Sequence, residues 1–180
     1  ISLITSIYFS SLLLSNEGLC KVFDEDANGF VRSEASVCLF LQKSKNVKRI
    51  YAQIINVKGN CDGFKNEGIA HPSSLTQEQL LTEIYRESNI SLSKLRYFEA
   101  HCTGTKAGDP EEVKAIDEAL AKKCEQQLLI GSVKSNMGHT EPSSGLCSVI
   151  KVLIAMETGF IPPNINLKRL RKGLEGIEQN

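Results

Sequence analysis

Apolar and polar positions along this chain follow two periods, and the switch between them marks its elements. Residues 30–41 (with Val31, Ala35, Val37, Leu39 and Leu41) and residues 49–57 (RIYAQIINV) are rich in β-formers with period-two features, which predicts strands. The polar knot Lys43-Ser44-Lys45-Asn46 separates them, and Gly59-Asn60-Cys61-Asp62-Gly63 turns the second run into a long loop reaching Ser74. Helical spacing then takes over. Leu80, Leu81, Ile84 and Tyr85 share one face behind a Ser74/Gln77 capping pair, predicting a helix that ends near Ser88. Residues 95–100 read as a short strand. Asp109 as N-cap, Pro110 at the first helical position, Glu112 closing a capping box and Lys122-Lys123 at the negative end predict a helix over 110–123. Residues 128–133 form another buried strand, and Leu146, Val149, Ile150, Leu153 and Ile154 recur at helical spacing until Gly159 stops the turn. Strands that alternate with helices imply a parallel or mixed sheet covered by helices. Beyond Pro162-Pro163, residues 164–167 return extended, and the basic RLRKGLEG stretch reads as the start of a linker.

The opening fourteen residues alternate apolar side chains with Ser and Thr and remain unassigned. They lack the basic leading region of a signal peptide and fall short of the roughly 20 residues of a membrane span. Ile1 in place of Met suggests a segment cut from a longer chain. Composition otherwise bounds the answer to an ordinary globular protein, 41% apolar and 23% charged over 180 residues. Twenty-one basic residues balance twenty-one acidic ones and no basic stripe with interleaved aromatics occurs, so nucleic acid has little electrostatic footing. The six cysteines stand about twenty or more residues apart without CxxC or Cys/His clustering, which argues against a zinc site and for a reducing, cytoplasmic setting.

Candidate chemistry concentrates between Glu99 and Gly145. Two of the three histidines, His101 and His139, stand at the ends of predicted strands and are followed by small polar residues, a placement suited to aiming an imidazole into a cleft. His71, beside Pro72 in a polar loop, reads as solvated. Asp109 and Glu112 read as helix caps, and Phe23, Phe30 and Arg32 as packing and pairing residues. CTGTKAG meets neither the GxGxxG nor the P-loop spacing.

Three blocks occur in order: Phe23-Asp24-Glu25-Asp26-Ala27-Asn28-Gly29-Phe30-Val31-Arg32-Ser33-Glu34-Ala35, then Glu99-Ala100-His101-x-Thr103-Gly104-Thr105-x-x-Gly108-Asp109-Pro110-x-Glu112, then Lys134-Ser135-Asn136-x-Gly138-His139. Together they resemble the signature of β-ketoacyl synthases, the condensing enzymes of fatty acid and polyketide synthesis. The wording is most similar to the animal-type multifunctional fatty acid synthases over roughly residues 15–168. The resemblance implies a thiolase-like, layered α/β/α/β/α fold, of which residues 1–45 close the first half, 46–165 form the second and 166–180 begin a linker.

It also implies an acyltransferase that condenses malonyl units with an acyl thioester after decarboxylation. His101 and His139 would be catalytic, with Lys134 in support. Thr103, Thr105 and Asn136 would serve the phosphopantetheine arm of an acyl-carrier protein, Asn136 by orienting the loop of the second histidine. The family's nucleophilic cysteine belongs to a Thr-Ala-Cys-Ser-Ser block, and none of the six cysteines has that setting. Cys102 occupies a position where the family has glycine. No metal, flavin or nicotinamide is implied for this domain, NADPH belonging to other domains of a whole synthase, and a homodimer is expected. A catalytically silent dimerisation or binding module and a polyketide synthase remain alternative readings. A degradative thiolase does not, because its signature pairs one histidine with a second cysteine.

Overall fold

The computed structural model describes residues 13–68, 70–174 and 177. In chain order its elements are helix α1 (Ser74–Ser88), strand β1 (Tyr97–Glu99), helix α2 (Gly108–Ala119), strand β2 (Leu129–Gly131), the one-turn helix α3 (Lys134–Met137) and helix α4 (Ser144–Thr158). Strands β1 and β2 pair in parallel, Tyr97 with Leu129 and Glu99 with Gly131. Parallel neighbours need a crossover, and α2 supplies it. Helices α1 and α2 pack on each other. The core gathers Val22, Phe23 and Phe30 from the first segment with Ala100, Cys102, Ile116, Leu120 and Leu128.

Helix α1 is capped one residue before the expected position. Ser73, not Ser74, accepts the Thr76 N–H on its side chain, and Asn89 ends the helix in the left-handed region, with φ of 52°. Helix α4 ends as the pattern predicts, on Gly159 with φ of 77°.

Two expectations fail. Residues 30–41 form no strand: their burial alternates, but only Phe30 and Arg32 make isolated bridges, to Leu14 and His139. Residues 49–57 are extended, unpaired and largely exposed. Period two records which face a segment favours, whereas a ladder also needs a continuous neighbour: the first run meets Leu14 and His139 only at single bridges, and the second forms no bridge among the described residues. The expected helix over 110–123 is α2 plus a separate 3₁₀ turn at Ala121–Lys123. The tail runs back over the core: Lys168 and Arg169 donate backbone N–H bonds to Asp24, and Leu174 is buried. Of the unassigned opening, residues 1–12 lie outside the described residues.

Candidate functional site

Strand β1 runs directly into Ala100 and His101, and β2 runs into Ser132, Val133 and Lys134, so the parallel pairing brings two of the three blocks side by side. The third block closes the site. His139 N–H donates to Val31 carbonyl at 2.8 Å, and its own carbonyl accepts from Ser33 N–H at 3.0 Å, which clamps the His139 loop to the Phe30–Ser33 segment. The rings of His101 and His139 meet edge to face with centroids 5.1 Å apart, and Phe30 packs on the other side of His139 at 5.0 Å. Gly138 makes the approach possible: its φ is +81°, and a Cβ there would lie 3.1 Å from both Val31 carbonyl and Ser33 Oγ.

Electrostatics favour neutral rings. Burial lowers the His101 pKa to about 4, with the Lys134 ammonium and His139 adding to the effect. His101 keeps an exposed edge, so water moderates that shift without changing its direction. His139 is 9% exposed and is also lowered, by burial first, with Glu141 opposing and Lys134 and Arg32 assisting. Its Nδ1 is buried without a partner in the protein. Lys134 is not a surface lysine: it is 2% exposed, reaches Ser148 Oγ at 3.5 Å, and is lowered by burial against the pull of Glu112 and Glu99.

The two carboxylates expected to cap α2 do something else. Helix α2 begins at Gly108, so Asp109 lies inside its first turn. Its buried carboxylate accepts N–H bonds from Phe23 (3.2 Å), Thr103 (3.1 Å) and Gly104 (3.0 Å), while burial pushes its pKa up to about 6. Glu112 reaches past its own helix end to accept from His101 N–H at 2.7 Å and from Cys102 N–H at 2.8 Å. The Cys102 thiol donates to the same carboxylate at 3.3 Å. The side chain that replaces glycine therefore has a slot and a partner, and its backbone is not among the positive-φ positions. Burial and the adjacent Glu112 push the Cys102 thiol well up, and burial raises Cys20 too, so neither is a ready thiolate.

His101, Thr103, Thr105, Asp109 and Glu112 line a cleft of about 720 Å³ that also includes His71, Gln77 and Lys106. His139 and Lys134 do not line it. The Thr105 hydroxyl accepts the Gly108 N–H at 3.2 Å, tying the loop to the start of α2. Asn136 is exposed, and its amide donates to Pro163 carbonyl at 2.9 Å, pinning the turn before His139. The structure thus puts His101, Thr103 and Thr105 on the cleft, sets His139 against the His101 ring with Lys134 buried nearby, and leaves Asn136 outside the cleft lining. His71, read from sequence as solvated, is half-buried in the cleft wall. Nothing in its polar local sequence signals that. Among the described residues, no group of three or more His, Cys, Asp or Glu side chains is arranged to hold a metal ion.

Two parallel strands joined by a helical crossover, with loops that bring two imidazoles together, are consistent with a thiolase-like α/β fold of the condensing-enzyme class. The model of the β-ketoacyl synthase C-terminal domain matches residues 51–168 and that of the N-terminal domain residues 4–46, so the chain belongs to the β-ketoacyl synthase family. It is 47% identical over 157 residues to the fatty acid synthase of Anser anser anser, covering 87% of this chain and 45% of the goose sequence. To a highly reducing polyketide synthase of Aspergillus terreus it is 42% identical over 166 residues, covering 89% of this chain and 6% of that protein. The ketosynthase from module 6 of the bacillaene synthase of Bacillus subtilis 168 superimposes with a TM-score of 0.83 at 32% identity, over 96% of this chain and 32% of that one. The chain therefore spans less than half the length of these relatives.

Proposed function

We propose that this chain is the later part of a β-ketoacyl-[acyl-carrier-protein] synthase within a fatty acid synthase, and that it supplies the decarboxylation and condensation half of the site. The observation that carries this reading is the pair of imidazoles 5.1 Å apart, both held neutral. A neutral imidazole has one N–H to donate, and two such donors aimed at one oxygen stabilise an enolate without first being charged.

The malonyl thioester loses carbon dioxide, and the electron pair of the broken C–C bond passes into an enolate whose oxygen accepts from His101 and His139. The α-carbon then attacks the acyl thioester carbonyl, the new C–C bond forms, and the nucleophile's thiolate departs and takes a proton. Preorganised donors of this kind are worth about 3 to 4 kcal/mol each in acyl-transfer sites. Lys134 supplies a buried positive charge near both rings. The acyl-bearing cysteine is assigned to sequence outside these 180 residues, since none of the six cysteines lies in a Thr-Ala-Cys-Ser-Ser setting, and burial also holds Cys20 and Cys102 as thiols.

The cleft lined by Thr103 and Thr105 suits the extended, amide-bearing phosphopantetheine arm of a carrier protein. We assign residues 1–45 and 46–165 to the two halves of the synthase and 166–180 to the beginning of a linker. A homodimeric, cytoplasmic enzyme fits this reading. Six free cysteines agree with a reducing compartment, and among the described residues no helix is long and apolar enough to cross a membrane. Fatty acid rather than polyketide synthesis is favoured by the higher identity to the goose enzyme, 47% against 42%. The slot that accommodates Cys102 argues against a silent copy.

The test is to express the complete synthase, supply acyl- and malonyl-carrier thioesters, and follow carbon dioxide release and product mass. Release of carbon dioxide with a β-ketoacyl product two carbons longer supports the proposal. An enzyme that loads acyl groups without condensing them refutes it.

A further inference from the structure

One buried charge cluster beside the site is not used by the proposed chemistry. Glu99, the last residue of β1, sits two positions before His101. One of its carboxylate oxygens accepts the Val133 N–H at 2.6 Å, in the turn immediately before Lys134. The other accepts the Tyr97 hydroxyl at 2.5 Å and forms an ion pair with Lys151 of α4 at 2.8 Å. Both charged side chains are about 95% buried, at 6% and 5% exposure. The Lys151 ammonium lies 5.5 Å from the Tyr97 ring centroid. Room for this arrangement comes from Gly131, where a Cβ would stand 2.6 Å from the Tyr97 hydroxyl and 3.3 Å from Lys151 Nζ. A second tie crosses the same gap: Ser132 Oγ donates to Cys102 carbonyl at 2.8 Å and stands 3.1 Å from His101 carbonyl.

Buried ion pairs seldom add net stability over apolar residues of the same shape. This one holds Glu99 at the last paired position of the ladder, opposite Gly131, and the Glu99 bond to Val133 N–H lies just beyond it, where the two functional loops diverge. We propose that Glu99, braced by Lys151 and Tyr97, is a positioning residue that holds the Lys134 turn in fixed relation to His101. The inference rests on the proposed function above only for its kinetic readout. Lys151 neutralises the carboxylate, Tyr97 fixes its rotamer, and the remaining oxygen grips Val133. Loss of that grip lets the lysine turn move relative to the imidazoles, and small displacements of preorganised groups cost rate more than affinity.

The experiment uses the intact synthase with two paired variants, E99L/K151M and E99Q/K151M. The first replaces the charges by apolar groups and leaves Val133 N–H without an acceptor. The second is also uncharged but restores an acceptor oxygen. E99L/K151M is expected to lower the turnover of malonyl decarboxylation by about tenfold or more with KM held within about twofold. E99Q/K151M is expected to recover most of the rate. Carbethoxylation of His101, read by peptide mass spectrometry, should quicken in the first variant and return towards the parent rate in the second. E99D, which withdraws the same carboxylate, replaces E99L/K151M if that variant does not fold, with the same expectations. Parent-like turnover and histidine reactivity in E99L/K151M, or an E99Q/K151M variant no better than it, overturns the proposal. If the parent enzyme itself releases no carbon dioxide, the functional reading fails, and the His101 modification rates still decide the positioning role.

Discussion

Replacing Glu112 by alanine removes one carboxylate and strands three donors, the backbone N–H groups of His101 and Cys102 and the Cys102 thiol. Their costs differ because their surroundings do. Cys102 is 0% exposed, so its N–H cannot turn to water, and an unsatisfied buried donor costs about 1–3 kcal/mol. His101 borders the open cleft, where water can take over its N–H for a fraction of that. Adding the vacated side-chain contacts, E112A should lower stability by about 2–4 kcal/mol. E112Q, which retains one acceptor oxygen but turns an amide NH₂ towards a backbone N–H, should lose less. Urea unfolding of the expressed ketosynthase domain, with wild type and C102G run beside these variants, reads the series. The expected order of loss is E112A, then E112Q, then C102G. An E112A variant within about 1 kcal/mol of wild type would refute the assignment of Glu112 as the anchor of the His101 loop.

Three further outcomes follow from the same geometry. C102G should remain active, because Cys102 needs no special backbone conformation, while losing about 1 kcal/mol through added chain entropy and the lost thiol contact; loss of condensation in C102G would show that the thiol is needed. G138A forces a Cβ into a left-handed position at a cost of about 1–2 kcal/mol and pushes on Val31 carbonyl and Ser33, so turnover should fall with little change in KM, as steady-state kinetics would show. His101 and His139 both have folded pKa values below the unfolded value near 6.5, so the neutral rings contribute stability that is present above that pH and lost as pH falls towards the folded pKa, about 4 for His101. Decarboxylation should fail across the same acid window as the rings become charged, and an acid limb unmoved in H101N and H139N would exclude them as its source.

Much of the site was legible because its chemistry is local in sequence. His101 follows β1 and His139 follows the short helix α3, both among small residues, and the helices around them declare themselves by apolar spacing and, for α4, by Gly159. Long-range partners were not legible. Asp109 and Glu112 carry a helix-capping pattern, yet their carboxylates serve loops that meet α2 only after folding. Residues 30–41 and 49–57 have strand composition, but pairing depends on a neighbour that composition does not specify. Lys134 is marked by its block, whereas nothing local marks Lys151, which α4 buries against Glu99. His71 joins the cleft through the return of a long loop, which no local pattern encodes.

The central claim is that two neutral imidazoles share one developing oxyanion. Measuring carbon dioxide release from a malonyl-carrier thioester by wild type, H101N, H139N and the double variant in the intact synthase tests it most directly. Each single change should cut decarboxylation by about 10²–10³-fold, as removal of one preorganised donor does, and the double change should fall short of the product because the pair acts as a unit. Acyl loading should continue in every variant. Undiminished decarboxylation in either single variant would contradict the account.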